Sequence, residues 1–230
     1  MTMPEIPADL DHTRGKTLRA PVVLDLLAAE HPEAEIALDH DTTWQLLVAT
    51  LLSAQSTDVK VNEVTRLLFA ELPDAQATAA STTARIEELI GQLGLFRQKA
   101  SNLHATATLV LSEHGGEVPD SMEALTALPG VARKTANVVL ANGFANNAGV
   151  VVDTHVRRLS RRLRFTREDS PVRIERDLMR LFPRARWLEV ADLLIFHGRR
   201  VCDARRPDCE GCVVAPLCPS DQSRGLSDKA

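Results

Sequence analysis

The residues richest in chemistry lie near the end of the chain, in "CDARRPDCEGCVVAPLC". Cys202, Cys209, Cys212 and Cys218 are the four cysteines of the protein, separated by six, two and five residues. An even count in a small secreted domain would read as disulfides. The N-terminus "MTMPEIPADLDHTRGK" has no apolar core behind a basic start, so no secretory signal is expected. A chain of 230 residues also buries a core without covalent staples. Reduced thiols and a metal site are therefore expected. Zinc sites usually pair two tight hooks across a longer gap, and this tail has only one. Iron–sulfur clusters also take four thiolates, often from one segment ending Cys-Pro, as Cys218-Pro219 does. Spacing alone leaves zinc and iron–sulfur both open.

A second constellation is "LTALPGVARKTANVVL", residues 125–140. Pro129 stops one helix, Gly130 permits a positive φ, and a second helix begins at once. Such a turn exposes backbone N–H groups where the helix carries partial positive charge, a geometry that suits a phosphate. The segment reads as a helix–hairpin–helix for sequence-independent DNA binding, with Gly130, Ala132 and Arg133 at the turn. Lys134 falls in the first turn of the second helix. A cation there is electrostatically misplaced, whereas a nucleophile needs the free amine. The plainer reading makes Lys134 a phosphate ligand like Arg133. Asp153 follows nineteen residues later, in "VVVDTHVRRL". By position it is a helix N-cap, and beside a lysine it could also activate that amine or stabilise a cationic sugar.

Helices must position these groups. "DTTWQLLVATLLSAQ" opens with a capping-box pattern, Thr42 and Gln45, and is apolar on nearly all sides, as a buried helix would be. "ARIEELIGQLG" is expected to end at Gly94, and "DSMEALTALPG" to be capped by Asp120. Pro171 suits the first position of "PVRIERDLMRLF". "VVV" at 150–152 is too short to make a sheet. The longest strongly apolar run, "LLVATLL", is too short to span a bilayer. With no Tyr, two Trp and six Phe, a base-stacking sheet surface is not expected.

The net charge of −4 conceals an asymmetry. Residues 150–206 hold fifteen arginines, no lysine and eight acids, so this stretch is strongly positive and the remainder strongly negative. Clustered arginine is the footprint of a phosphate-binding face. The competing reading is a set of solvated helix faces with scattered ion pairs.

The chain resembles the endonuclease III family of helix–hairpin–helix DNA glycosylases. Four blocks carry the resemblance: "LLSAQSTDVKVNEV", "GLFRQKA", "LPGVARKTANVVL…VVVDTHVRRL" and the four-cysteine tail. It implies an all-α, two-lobed fold. A six-helix bundle is expected at 36–146, with the hairpin at about 121–143. An iron–sulfur domain is expected at 21–35 plus 147–230, and a flexible tail at 1–20. It implies a [4Fe–4S] cluster on Cys202, Cys209, Cys212 and Cys218, with Arg205 and Arg206 on a pinned loop that meets phosphates. Lys134 matches the catalytic lysine and Asp153 the catalytic aspartate. Gln55 and Leu95 match the two residues inserted into the duplex. Without the family each would read as a surface amide and a core leucine. Lys60, Arg97 and Lys99 are further candidate phosphate contacts. The family hairpin usually has glycine where this chain has Ala132, which costs little if φ there is negative.

The implied activity is bifunctional: excision of oxidised pyrimidines from duplex DNA, then strand cleavage at the resulting AP site. A monomer acting in the cytoplasm at the nucleoid, with no membrane association, is expected. Three rivals remain. An adenine-mismatch glycosylase of the same superfamily lacks the lysine and carries an extra C-terminal domain. A non-catalytic hairpin module gives no reason to pair Lys134 with Asp153. A zinc-ribbon binder fits the cysteine intervals poorly. His155 and His197 are read as structural.

Overall fold

The computed structural model describes residues 3–223. Among them every regular element is helical: eleven α-helices and two short 3-10 turns. The buried valines 150–152 form no strand. The chain divides into two compact units, Ile36–Ala148 and a second that joins Met1–Glu35 to Gly149–Ala230.

The first unit holds α2 (Thr43–Leu52), α3 (Asp58–Glu71), α4 (Ala75–Ala80), α5 (Thr83–Ile90), α6 (Phe96–His114), α7 (Met122–Ala127) and α8 (Arg133–Phe144). The family resemblance implies roughly six helices here. The extra one, α4, has only six residues and owes its start to Asp74, which accepts the Ala77 N–H at 2.7 Å. Eight of the ten residues of α2 are buried, and α3, α6 and α8 pack around it. That all-round burial is what its unbroken apolar sequence requires.

Local sequence signals set most helix ends, with small displacements. Thr42 accepts the Gln45 N–H at 3.2 Å as expected, but the Gln45 amide returns to Asp41 N–H rather than to Thr42, at 2.7 Å. The cap of α7 is Ser121 rather than Asp120, its hydroxyl accepting the Ala124 N–H at 3.2 Å. Helix α5 stops at Ile90, short of Gly94, because buried Leu93 turns the chain back with its N–H on Ile90 O.

The second unit holds α1 (Lys16–Glu30), α9 (Thr154–Arg162), α10 (Pro171–Leu181) and α11 (Trp187–Arg200). Pro171 takes the first turn of α10. Helix α11 is the platform on which α1 and α9 pack. Residues 16–20 are not a flexible tail but the first turn of α1. Lys16 Nζ donates to Phe165 O at 2.6 Å. Arg19, only 2% exposed, donates to Leu217 O at 2.8 Å, to Leu163 O at 3.1 Å and to Arg14 O at 2.8 Å. Nothing in the local sequence marks those long-range carbonyls as partners.

On α11, Asp192 is pushed up to about 7 by burial, with the charge of Glu35 adding to the shift. The folded state therefore holds this proton more tightly than the unfolded chain does. Between the unfolded value near 3.8 and about 7, stability falls as pH rises. Asp192→Asn should raise the thermal midpoint at pH 8, and its advantage should shrink as pH falls to 5 and vanish only below about 4. Equal midpoints at both pH values would contradict this account.

Candidate functional site

In the first unit, α7, a turn over 128–132 and α8 form the hairpin. Gly130 has φ +77°, and a Cβ there would meet the Asn102 side chain of α6 at 2.5 Å. Glycine is thus required twice, for its conformation and for its lack of bulk. Thr106 of α6 donates to Pro129 O at 2.9 Å, which fastens the turn to the long helix. Ala132 has φ −87°. Alanine is unstrained there, so the departure from glycine leaves the backbone path unchanged. The N-cap residue of α8, Ala132, offers no side-chain cap, the kind of helix start that suits an outside acceptor. Arg133 and Lys134 are both exposed, and the Lys134 amine meets no hydrogen-bonding or charged partner among the described residues.

Two loops of the same unit end in tips with left-handed backbone. Gln55 has φ +55° and Leu95 has φ +57°, two of only four non-glycine residues with positive φ among those described. Each such residue is strained by about 1–2 kcal/mol. Leu95 is 59% exposed, so the ordinary core reading of this leucine does not hold. The loops lie side by side: a Cβ on Gly94 would sit 3.7 Å from Gln55 O. Lys99 ties them together. Its side chain is buried, 4% exposed, and donates to Ser56 Oγ at 2.9 Å. Burial alone lowers its proton affinity. Lys99 is therefore an internal strut and not the phosphate contact its charge suggested. Lys60 binds Glu63 and the Gln92 amide, whereas Arg97 lies exposed over the Phe96 ring.

In the second unit Asp153 caps α9, accepting the Val156 N–H on Oδ1 at 2.8 Å. Its other oxygen has no hydrogen-bond partner among the described residues. A half-buried carboxylate fixed by one oxygen presents the second in a defined direction. His155 accepts from Arg158 at 3.2 Å and packs against Gly198, a structural role. Lys134 belongs to the first unit and Asp153 to the second.

All four cysteines are free and line one cavity with Arg162 and His197. Burial and the neighbouring thiols push Cys212 up to about 12, and burial raises Cys218 as well. Metal binding here must displace protons. Among the described residues no three potential ligands close around a single ion. Polar groups instead face individual sulfurs: Arg162 Nη1 lies 3.1 Å from Cys202 Sγ, and His197 Nε2 lies 3.4 Å from Cys212 Sγ. Burial pushes the His197 imidazole down to about 4.

Arg162 also donates to Asp203 O at 2.7 Å and to Ala204 O at 2.9 Å, while Arg158 donates to Gly198 O at 2.7 Å and to Cys202 O at 3.0 Å. The Asp203 carboxylate accepts the N–H groups of Arg205 and Arg206 at 2.8 and 3.1 Å, which hold it below the usual carboxylate range. This turn leaves both guanidiniums exposed and unpaired. Much of the remaining arginine excess is internal: Arg157 and Arg161 bind Asp169, Arg173 binds Glu168, and Arg186 binds Asp25 and Glu189. Three of the seven arginines on α9 and α10, Arg157, Arg161 and Arg173, follow the ion-pair reading, whereas Arg158 and Arg162 hold backbone carbonyls. The i, i+4 spacing of Arg158 and Arg162 placed them on one face of α9, a signal that sequence reasoning did not use.

The strained tips have a measurable consequence. Gln55→Gly should leave the thermal midpoint unchanged or higher, because glycine accepts positive φ. Lys99→Met should fold with similar stability, since an apolar isostere removes a buried charge. Amide exchange across 53–57 should nevertheless quicken. Unchanged exchange would show that Lys99 does not hold the loop.

Residues 48–184 match the model of the HhH-GPD superfamily of base excision DNA repair proteins. The chain is 52% identical to endonuclease III of Synechocystis, an alignment covering 91% of this chain and 95% of that one. It is 38% identical to endonuclease III of Escherichia coli K12, over 85% of this chain and 92% of that one. Its fold matches a solved trapped endonuclease III–DNA covalent intermediate with a TM-score of 0.86 and 37% identity, over 91% of this chain and 98% of that one. A hairpin with a lysine in its second helix, a capping aspartate and a four-cysteine tail thus meet in a chain that belongs to the endonuclease III family of base excision DNA glycosylase/AP lyases.

Proposed function

We propose that this glycosylase and AP lyase removes oxidised pyrimidines from duplex DNA, with Lys134 as nucleophile and Asp153 as its electrostatic partner. The observation that carries the reading is Lys134 itself. It is an exposed, unpartnered amine in the first turn of the hairpin's second helix. A related protein of the same fold has been trapped as a covalent DNA intermediate.

A base inside the stack must be flipped out before chemistry reaches it. The paired tips, Gln55 and Leu95, fill the gap, and their fixed backbone lowers the ordering cost on binding. The first N–H groups of α8, with Gly130, Ala132 and Arg133 at the turn, take a phosphate. Arg205 and Arg206 take others. Lys134 Nζ then attacks C1′ of the flipped sugar and the C1′–N bond to the base breaks. Positive charge develops on the sugar ring, and the free Asp153 oxygen stabilises it. The nitrogen lone pair then opens the ring at C1′–O4′, O4′ takes up a proton from water, and the covalent lysine is left as a Schiff base with C1′. Loss of a C2′ proton then expels the 3′ phosphate by β-elimination and cuts the strand.

Cys202, Cys209, Cys212 and Cys218 fit a [4Fe–4S] cluster. The four free thiols share one cavity yet do not converge on one ion, and hydrogen-bond donors face their sulfurs. When bound, the cluster cross-links the tail and fixes the loop of Arg205 and Arg206. The protein acts as a monomer in the cytoplasm, on nucleoid DNA. Among the described residues no helix is long and apolar enough to cross a membrane.

Borohydride should trap a covalent adduct on duplex carrying an oxidised pyrimidine. Lys134→Gln should abolish the adduct and base release while leaving DNA affinity largely intact. Asp153→Asn still caps α9, so it should fold and yet excise the base at least ~10²-fold more slowly, the scale for losing one electrostatic group. Full excision by Lys134→Gln would replace the nucleophile with an activated water. Replacing Arg205 and Arg206 with alanine should weaken binding to damaged and undamaged duplex alike and flatten the salt dependence by up to about two units. Purified protein should carry about four irons per chain and absorb broadly near ~400 nm. Stoichiometric zinc in colourless protein would falsify the cluster assignment.

A further inference from the structure

Beneath the four cysteines, two histidines form a buried chain that none of the steps above uses. His31 closes α1 and His197 lies in the last turn of α11. They are 5% and 2% exposed. His31 Nε2 lies 3.0 Å from His197 Nδ1, and His197 Nε2 lies 3.4 Å from Cys212 Sγ. The rings are tilted by 51° with centroids 5.3 Å apart. Phe196 packs on the outer side of His31, its centroid 5.9 Å away. Arg200 covers Phe196 at 4.2 Å and pairs with Glu33. Both ring nitrogens of His197 are thus committed, one to a sulfur and one to His31.

The chemistry of the acceptor fixes the protons. A metal-bound thiolate has no hydrogen to give, so Nε2 of His197 must carry the proton in that contact. A neutral imidazole then has a bare lone pair at Nδ1. Only a donor can satisfy it, and the group at 3.0 Å is Nε2 of His31. With His197 neutral, one arrangement of protons fits both contacts: His31 N–H to His197, and His197 N–H to Cys212.

We propose that His197 is the hydrogen-bond donor to the metal-bound Cys212 thiolate, and that His31 is the positioning residue that fixes its tautomer. The inference rests on the cluster assignment above. Its consequences lie in the cluster rather than in base excision. A donor to sulfur favours the more negative, reduced cluster and so raises the reduction potential. It also holds the thiolate against loss of iron, as outer-shell partners of metal ligands generally do. Because His31 ends α1, the chain of bonds reports the seating of α1 on α11 directly to the cluster.

The test uses the iron-loaded, full-length protein. His197→Leu should bleach about tenfold faster under an iron chelator, followed near ~400 nm, and should show a more negative midpoint potential by protein-film voltammetry. Because that variant can fail to load, the decisive pair is at His31. His31→Leu should change both readouts in the same direction by a smaller factor. His31→Gln, whose amide N–H donates to Nδ1 as the imidazole does, should restore both to within about twofold of wild type. A merely space-filling role for His31 predicts no rescue by glutamine. Equal behaviour of His31→Leu and His31→Gln overturns the proposal, as does a His31→Leu protein that matches wild type. Wild-type protein without iron overturns the cluster assignment, a separate result from iron-loaded variants that match the wild type.

Discussion

Among the described residues the cysteine-bearing tail has almost no regular secondary structure after α11, so its backbone carbonyls must find donors elsewhere. Arginine supplies them. Arg158 and Arg162 reach Gly198, Cys202, Asp203 and Ala204, and Arg19 reaches Leu217 just before Cys218. A guanidinium presents five donors in a rigid plane, so one side chain serves two or three carbonyls at once. Lysine has no such fork. This net of bonds holds the chain next to Cys202 and Cys218 and the backbone at Asp203 and Ala204.

The same net changes the meaning of the charge. A stretch with fifteen arginines looks like a phosphate-binding face. In the fold, many of those cations hold carbonyls and carboxylates of their own unit, which leaves fewer of them for a polyanion. Arg205 and Arg206 stand out because the Asp203 carboxylate occupies their backbone N–H groups and leaves their guanidiniums unpaired.

In the other unit the tension runs the opposite way. Gln55 and Leu95 adopt backbone conformations that L-residues avoid, and Lys99 is buried with one hydroxyl partner. Each is a local expense in stability. They coincide at two adjacent loop tips, whereas the surrounding core of α2, α3, α6 and α8 is apolar and well filled. Strain localised on exposed tips above a rigid core is the pattern expected of a surface preorganised for contact.

The sequence by itself determined whatever depends on short range. Helix periodicity, the cap at Thr42, the proline that opens α10, the Pro-Gly turn of the hairpin and the cysteine spacing are all read within a few residues, because hydrogen bonds and φ limits act at that range. The flanks of Lys134 and Asp153 were legible for the same reason. Tertiary structure alone decided what depends on partners far along the chain. Arg19 meets Leu163 and Leu217, Lys99 meets Ser56, and His31 meets His197. It made a strut of a lysine that looked like a phosphate ligand and a helix of residues 16–20 that looked like a loose tail. It also settled Ala132 by giving it a negative φ. A side chain carries its charge and donors in its own sequence, but burial and neighbours decide what they are spent on, and those come only from the folded chain.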